Sequence, residues 1–111
     1  MQTQVTSYHR CEVLKVVGRL DSETVPTLRQ AIGEITDAGK FNVVLDMTEV
    51  SFVSSAGWWV LIDTQKNCKR NNRGELVMAG LAERIRHSLD LVGMSEYFRL
   101  YETVTDAVGQ F

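Results

Sequence analysis

Residues 45–66 read LDMTEVSFVSSAGWWVLIDTQK. Upstream of this stretch, NVVLDM (42–47) is a short continuous apolar run, the pattern of a strand covered on both faces. SFVS (51–54) extends that strand after a turn. A helix then opens near Ser54 or Ser55 and runs to about Asn71. The junction SFVSSAG is therefore a strand end meeting a helix N-terminus, where sites gather in open α/β sheets. Small hydroxyl residues, Ala56 and Gly57 stand directly before Trp58 and Trp59, the chain's 2 tryptophans.

The helical phase separates these indoles. At about 100° per residue, Trp58 falls with Leu61, Ile62, Gln65 and Cys68. Trp59 falls about 200° from Leu61, with Asp63, Lys66, Asn67 and Arg70. Trp58 is read as core. Trp59 is read as projecting from the first turn, a candidate binding anchor; the plainer alternative lays its ring flat over a neighbouring loop. Ser54 and Ser55 also carry two readings. Either one caps the helix, a contribution of about 1 kcal/mol, or one accepts a phosphate, which a helix N-terminus tolerates because free N–H groups and the positive end of the dipole meet it.

Outward from the junction, strand and helix periods alternate. CEVLKVVGRL (11–20) reads as a strand ending near Gly18, paired with an earlier one over Gln4–His9. Val25, Leu28, Ile32 and Ile35 form a helical apolar stripe, with Asp21 or Ser22 as cap, Pro26 in or just past the first turn and Gly39 as stop. GELVMAG (74–80) is a buried strand. LAERIRHSLDLVG (81–93) is a helix with Leu81, Ile85, Leu89 and Val92 inward and Gly93 as stop. YFRLY (97–101) is a last short strand. TVTDAVGQF (103–111) is a last helix, with Thr103 and Asp106 spaced as a capping box. The alternation predicts one α/β domain over residues 1–111, with a mixed sheet of four to five strands and about four helices mainly on one face.

Composition narrows the function. The 111 residues suit one compact domain, and a hydrophobic content of 44% supports a core. A formal net charge of −2 with mixed signs argues against nucleic-acid binding. The start MQTQVTSYHRCEVL lacks the pattern of a signal peptide, and no apolar run approaches the roughly 20 residues of a membrane span, so a cytoplasmic location is expected. Cys11 and Cys68 fit no metal or redox spacing and read as reduced, buried thiols. His9 and His87 are isolated. Asp46 ends a strand without an acid, base or metal partner nearby. Arg84, Arg86 and His87 read as a solvated helix face. No catalytic set, phosphate loop, cofactor motif or metal cluster emerges, so an enzyme is not expected.

The order of these segments resembles the STAS domain family of bacterial anti-sigma factor antagonists. VVGRLDSETVPTLRQAI (16–32) looks like the family's glycine–x–leucine–aspartate strand end and first helix. NVVLDMTEVSFVSSAGWWVLI (42–62) looks like its central signature, and the segment from Arg73 to Val108 resembles its last third. The resemblance implies a regulatory module that binds a serine-kinase anti-sigma factor and is switched by phosphorylation of the serine matching Ser55, with Ser54 as the rival acceptor and a serine phosphatase as a second partner. It further implies that Asp21 and the helix beginning at Ser55 form the kinase-facing surface; with Trp59 added by its helical phase, the expected partner-binding residues are Asp21, Ser54, Ser55, Ala56, Gly57 and Trp59. The chain departs from the family pattern where Ser54 replaces an aspartate, Ala56 a hydroxyl residue and Trp59 a small one. Relatives without the full motif are subunits of signalling scaffolds or lipid transport systems, which is the alternative reading; a nucleotide-binding role is a third.

Overall fold

The computed structural model describes residues 1–111. Five strands form one sheet in the order β1 (Gln2–Ser7), β2 (Glu12–Leu20), β3 (Asn42–Val53), β4 (Glu75–Ala79), β5 (Leu100–Tyr101). β1 pairs antiparallel with β2, whereas β2, β3, β4 and β5 are mutually parallel. The parallel pairs require crossovers, and the helices supply them: α1 (Val25–Asp37), α2 (Ser55–Lys69) and α3 (Glu83–Leu91). A short α4 (Val104–Gly109) ends the chain. No helix is long and apolar enough to cross a membrane.

The sheet separates two cores of unequal size. On one face Leu14, Val16, Val43, Leu45, Leu76 and Met78 meet α1 through Leu28 and Ile32, α2 through Trp58 and Leu61, and α3 through Ile85 and Leu89. On the other, Cys11, Val13, Val44, Val77 and Ala79 are covered by Ala107 of α4 with Val104 and Val108. The mixed sheet with helices mainly on one face is thus as the sequence predicts. The first half of β3 is buried on both faces, with Val43 and Leu45 in one core and Val44 in the other, which accounts for its apolar run.

Several local expectations are corrected. β2 does not stop at Gly18 but continues to Leu20, because Arg19 and Leu20 pair with Phe52 and Val53. β3 runs without a turn across the place where one was expected. Its register against β2 slips instead, between Lys15 and Val17 and again between Gly18 and Arg19. At the first slip Asp46 Oδ1 accepts the Thr48 N–H at 3.0 Å and the Thr48 hydroxyl at 2.7 Å, so the carboxylate satisfies a backbone donor at a bulge. The regular part of α1 begins after Thr24, whose side chain makes no capping bond; Asp21 caps the turn that leads into it, as expected, through its Oδ1 and the N–H groups of Glu23 and Thr24. Val92 lies past the end of α3 and is 36% exposed, so it is not part of the inward stripe. The last helix is capped as expected, with the Thr103 hydroxyl accepting the Asp106 N–H at 3.1 Å. Gly39, at φ +80°, takes the left-handed backbone that ends α1.

Candidate functional site

The site is built at the carboxyl ends of β2 and β3. Leu20 and Val53 are their last paired residues. Beyond Val53 the Ser54 N–H donates to the Leu20 carbonyl at 2.8 Å, tying the start of α2 to the end of β2. Ser54 is extended (φ −82°, ψ 171°), and its hydroxyl accepts the Gly57 N–H at 3.2 Å, the geometry of a helix N-cap. Ser55 follows as the first residue of the helix, with its side chain exposed and without a protein hydrogen bond among those of this turn. Of the two serines, one hydroxyl is engaged by the backbone and the other is open to solvent.

Gly57 lets the helix sit this low. A Cβ at this position would lie 2.9 Å from the Leu20 carbonyl oxygen and 3.0 Å from a methyl of Val53. Any side chain here would lift the first turn off the strand ends. Ala56 is half-buried beside it.

Asp21 enters from the other strand. Directly after Leu20, its Oδ1 accepts the N–H groups of Glu23 at 3.0 Å and Thr24 at 3.2 Å. Thr24 closes the turn by donating its hydroxyl to the Arg19 carbonyl at 2.7 Å. Partial desolvation pushes the Asp21 carboxyl up, but these N–H donors and the Arg19 guanidinium outweigh it and hold the group below the usual carboxylate range. Asp21 and the first turn of α2 are thus brought together through Leu20, which carries one and bonds the other.

The tryptophans divide as the helical phase predicts. Trp58 is fully buried, and its indole N–H donates to the Ser88 hydroxyl of α3 at 3.1 Å. Trp59 is 55% exposed, one turn along α2 from Ser55.

Residues outside the expected site complete the surroundings. Arg19 stacks its guanidinium 4.3 Å above the half-exposed Phe52 ring and approaches Asp21 at 3.5 Å. Arg84 of α3 donates to the Ser51 carbonyl at 2.7 Å, so one of the cations read as a solvated face holds the end of β3. No local spacing relates Arg19 to Phe52 or Arg84 to Ser51; strand register and helix placement bring them together. Cys11 and Cys68 are free and buried. Burial pushes the Cys68 thiol up to about 11, against a smaller opposite influence of Arg73. No group of three or more His, Cys, Asp or Glu side chains is placed to hold a metal.

The mixed α/β sheet thus presents an exposed serine on the first turn of its second helix, at the strand ends that also carry the Asp21 turn. The chain belongs to the STAS domain family, whose model matches residues 2–107. It is 29% identical over 104 residues to the anti-sigma-F factor antagonist RsfB of Mycobacterium tuberculosis, covering 94% of this chain and 84% of that protein. An anti-sigma-B factor antagonist of Staphylococcus epidermidis is 29% identical over 89 residues, covering 80% of this chain and 82% of that one. The crystal structure of an anti-sigma factor antagonist from Mycobacterium paratuberculosis superposes with a TM-score of 0.82 at 30% identity, covering 98% of this chain and 92% of that one.

Proposed function

We propose that this chain is an anti-sigma factor antagonist that docks on a serine-kinase anti-sigma factor and is switched by phosphorylation of Ser55. The observation that carries the reading is the unequal use of the two serines. Ser54 is committed to the Gly57 N–H, whereas Ser55 is exposed on the same turn. The docking surface runs from Asp21 across Ser54, Ser55 and Ala56 to Trp59; Gly57, also expected in it, is buried against Leu20 and Val53 and sets the height of the turn instead.

The structure also supplies a reason why Ser54 can stand where the family keeps an aspartate. Both residue types are strong N-caps. Ser54 retains the cap and removes only the charge. Docking would then rest more on Trp59, whose apolar area at an exposed position suits an interface anchor.

Phosphorylation of Ser55 transfers the γ-phosphoryl group of ATP to Oγ, releasing ADP and the hydroxyl proton. The dianion lies at a helix N-terminus, where it is favoured locally by about 0.3–2 kcal/mol. The helix therefore stays formed. The effect falls on the partner, which must desolvate a phosphate beside Asp21 and the Trp59 ring. A serine phosphatase would restore the docking state.

The test is to mix the purified chain with its kinase-type anti-sigma factor, measure binding, add ATP and map phosphate by mass spectrometry. Binding that is lost as Ser55 gains phosphate supports the reading. Phosphate on Ser54, or on neither serine with binding intact, overturns the switch. The absence of both binding and phosphate favours the second reading, a constitutive subunit of a signalling scaffold or lipid transport system, which the missing acidic and hydroxyl residues at Ser54 and Ala56 suit.

A further inference from the structure

The two edges of the sheet are unlike. β5 offers only Leu100 and Tyr101. β1 is a full strand, QTQVTS, with every residue exposed. It pairs with β2 from Gln2↔Val17 to Ser7↔Glu12 without a register slip. Its far side has no neighbour in the sheet. Natural edges are commonly protected by charge, proline or a bulge, and β1 has none of these. Its neighbours inward do carry charge, but Lys15 and Glu49 neutralise one another in an ion pair.

The direction of the free backbone groups follows from the turn after β1. The Tyr8 N–H donates to the Cys11 carbonyl at 2.9 Å, so Tyr8 points its backbone towards β2. Strand alternation then turns Thr6, Gln4 and Gln2 the same way. Thr3, Val5 and Ser7 direct N–H and C=O outward.

We propose that β1 pairs antiparallel with β1 of a second copy, about a two-fold axis through Val5, joining both sheets into one. Antiparallel neighbours must share a face, so the axis must pass through a residue and not between residues. Centred on Val5, the pairing sets Val5 opposite Val5 and Thr3 opposite Ser7, and every outward N–H and C=O of Gln2–Ser7 finds a partner. Centred on Gln4, Ser7 falls opposite Met1, outside β1. The Val5 register also places the 44%-exposed Val5 side chains against each other and sets Gln4 beside Thr6. No like charges meet, because the strand has no charged side chain. That neutrality favours a second copy over a partner selected by charge. The contact is one strand wide, so the dimer is weak and forms at high chain concentration. The pairing uses β1 alone and engages none of Asp21, Ser54, Ser55 or Trp59, so it is tested separately from the proposed switch at Ser55.

Sedimentation equilibrium of the full chain, from micromolar to millimolar, tests this. The mass should rise towards a dimer with concentration. Val5→Lys and Val5→Glu should each be monomeric with native circular dichroism, since each sets like charges at the axis. An equimolar mixture of the two should dimerise again. A native chain that stays monomeric at millimolar concentration, a dimer that survives Val5→Lys, or folded variants whose mixture stays monomeric would each overturn the pairing. If a variant does not fold, amide exchange of the native chain decides. Protection at Thr3, Val5 and Ser7 that grows with concentration supports the pairing, and concentration-independent exchange there rejects it.

Discussion

Trp58 and Trp59 are adjacent in the chain and opposite in role. The Trp58 ring is fully buried with its N–H on Ser88, whereas the Trp59 ring is more than half exposed. Truncating Trp58 should cost about 3–5 kcal/mol of stability, the usual price of a large core aromatic, and also leaves Ser88 without its donor. Truncating Trp59 should leave the unfolding midpoint nearly unchanged and weaken docking on the anti-sigma factor by roughly 30-fold or more. Thermal unfolding and calorimetric titration of both alanine variants separate these effects. The reverse pattern would place the docking surface elsewhere.

Gly57 makes a second contrast between local preference and packing. Helix propensity alone would have Gly57→Ala stabilise by about 1 kcal/mol. The added methyl carbon instead meets the Leu20 carbonyl at 2.9 Å, and forcing atoms into packed space costs about 1–3 kcal/mol. Denaturant unfolding should show destabilisation. A more stable variant would mean that α2 can rise off the strand ends freely.

Both contrasts bear on what was legible in the sequence. Trp58 and Trp59 could be assigned because helical phase is a local property, and Leu61, Ile62 and Cys68 set the buried side. The same local logic located the strand–helix junction and the Thr103 cap. It failed where neighbouring strands decide. Gly18 looks like a strand end, yet pairing with β3 carries β2 on to Leu20. The residues after Met47 look like a turn, but bulges keep β3 continuous. Arg19 over Phe52 and Arg84 on Ser51 are contacts between distant segments, so no spacing announces them. Val92 keeps the helical spacing of its stripe, but the helix ends before it.

Cys68 is fully buried, with its thiol pushed up to about 11. At neutral pH it is almost wholly protonated, and the thiolate is the reactive form. Alkylation by iodoacetamide under native conditions should be slow at Cys68 and rise steeply on unfolding in denaturant. Rapid native labelling there would show that α2 opens readily at its C-terminal half.

Asp21 makes a pH-dependent contribution of known sign. Its carboxyl is held below the ordinary range by the N–H groups of Glu23 and Thr24 and by Arg19, against partial desolvation. A depressed folded value means that the stabilisation is complete above the unfolded pKa and is lost as pH falls through the folded one. Asp21→Asn can keep the Oδ1 acceptor and removes the charge. The stability difference between native and variant chains should therefore be largest near neutrality and shrink in acid below the carboxylate range. A difference that is flat with pH would show that the charge contributes nothing to the turn.

The two serines make the final test, because stability and docking should respond to them independently. Ser54→Ala removes the oxygen that accepts the Gly57 N–H and should cost about 1 kcal/mol. Ser54→Asp keeps the cap and restores an acid beside Ser55, so stability should be retained while the rate of phosphorylation by the kinase changes. Ser55→Ala should leave the unfolding midpoint unchanged, since the Ser55 side chain is exposed on the first turn. It should dock and never release on addition of ATP. Ser55→Glu places a negative charge where the helix dipole favours it, for a gain of about 0.3–1 kcal/mol, yet it should dock more weakly because that charge faces the partner. A switch that worked by melting α2 would instead make Ser55→Glu less stable than the native chain. Chemical unfolding beside a binding titration on these four variants distinguishes a blocked surface from a broken helix.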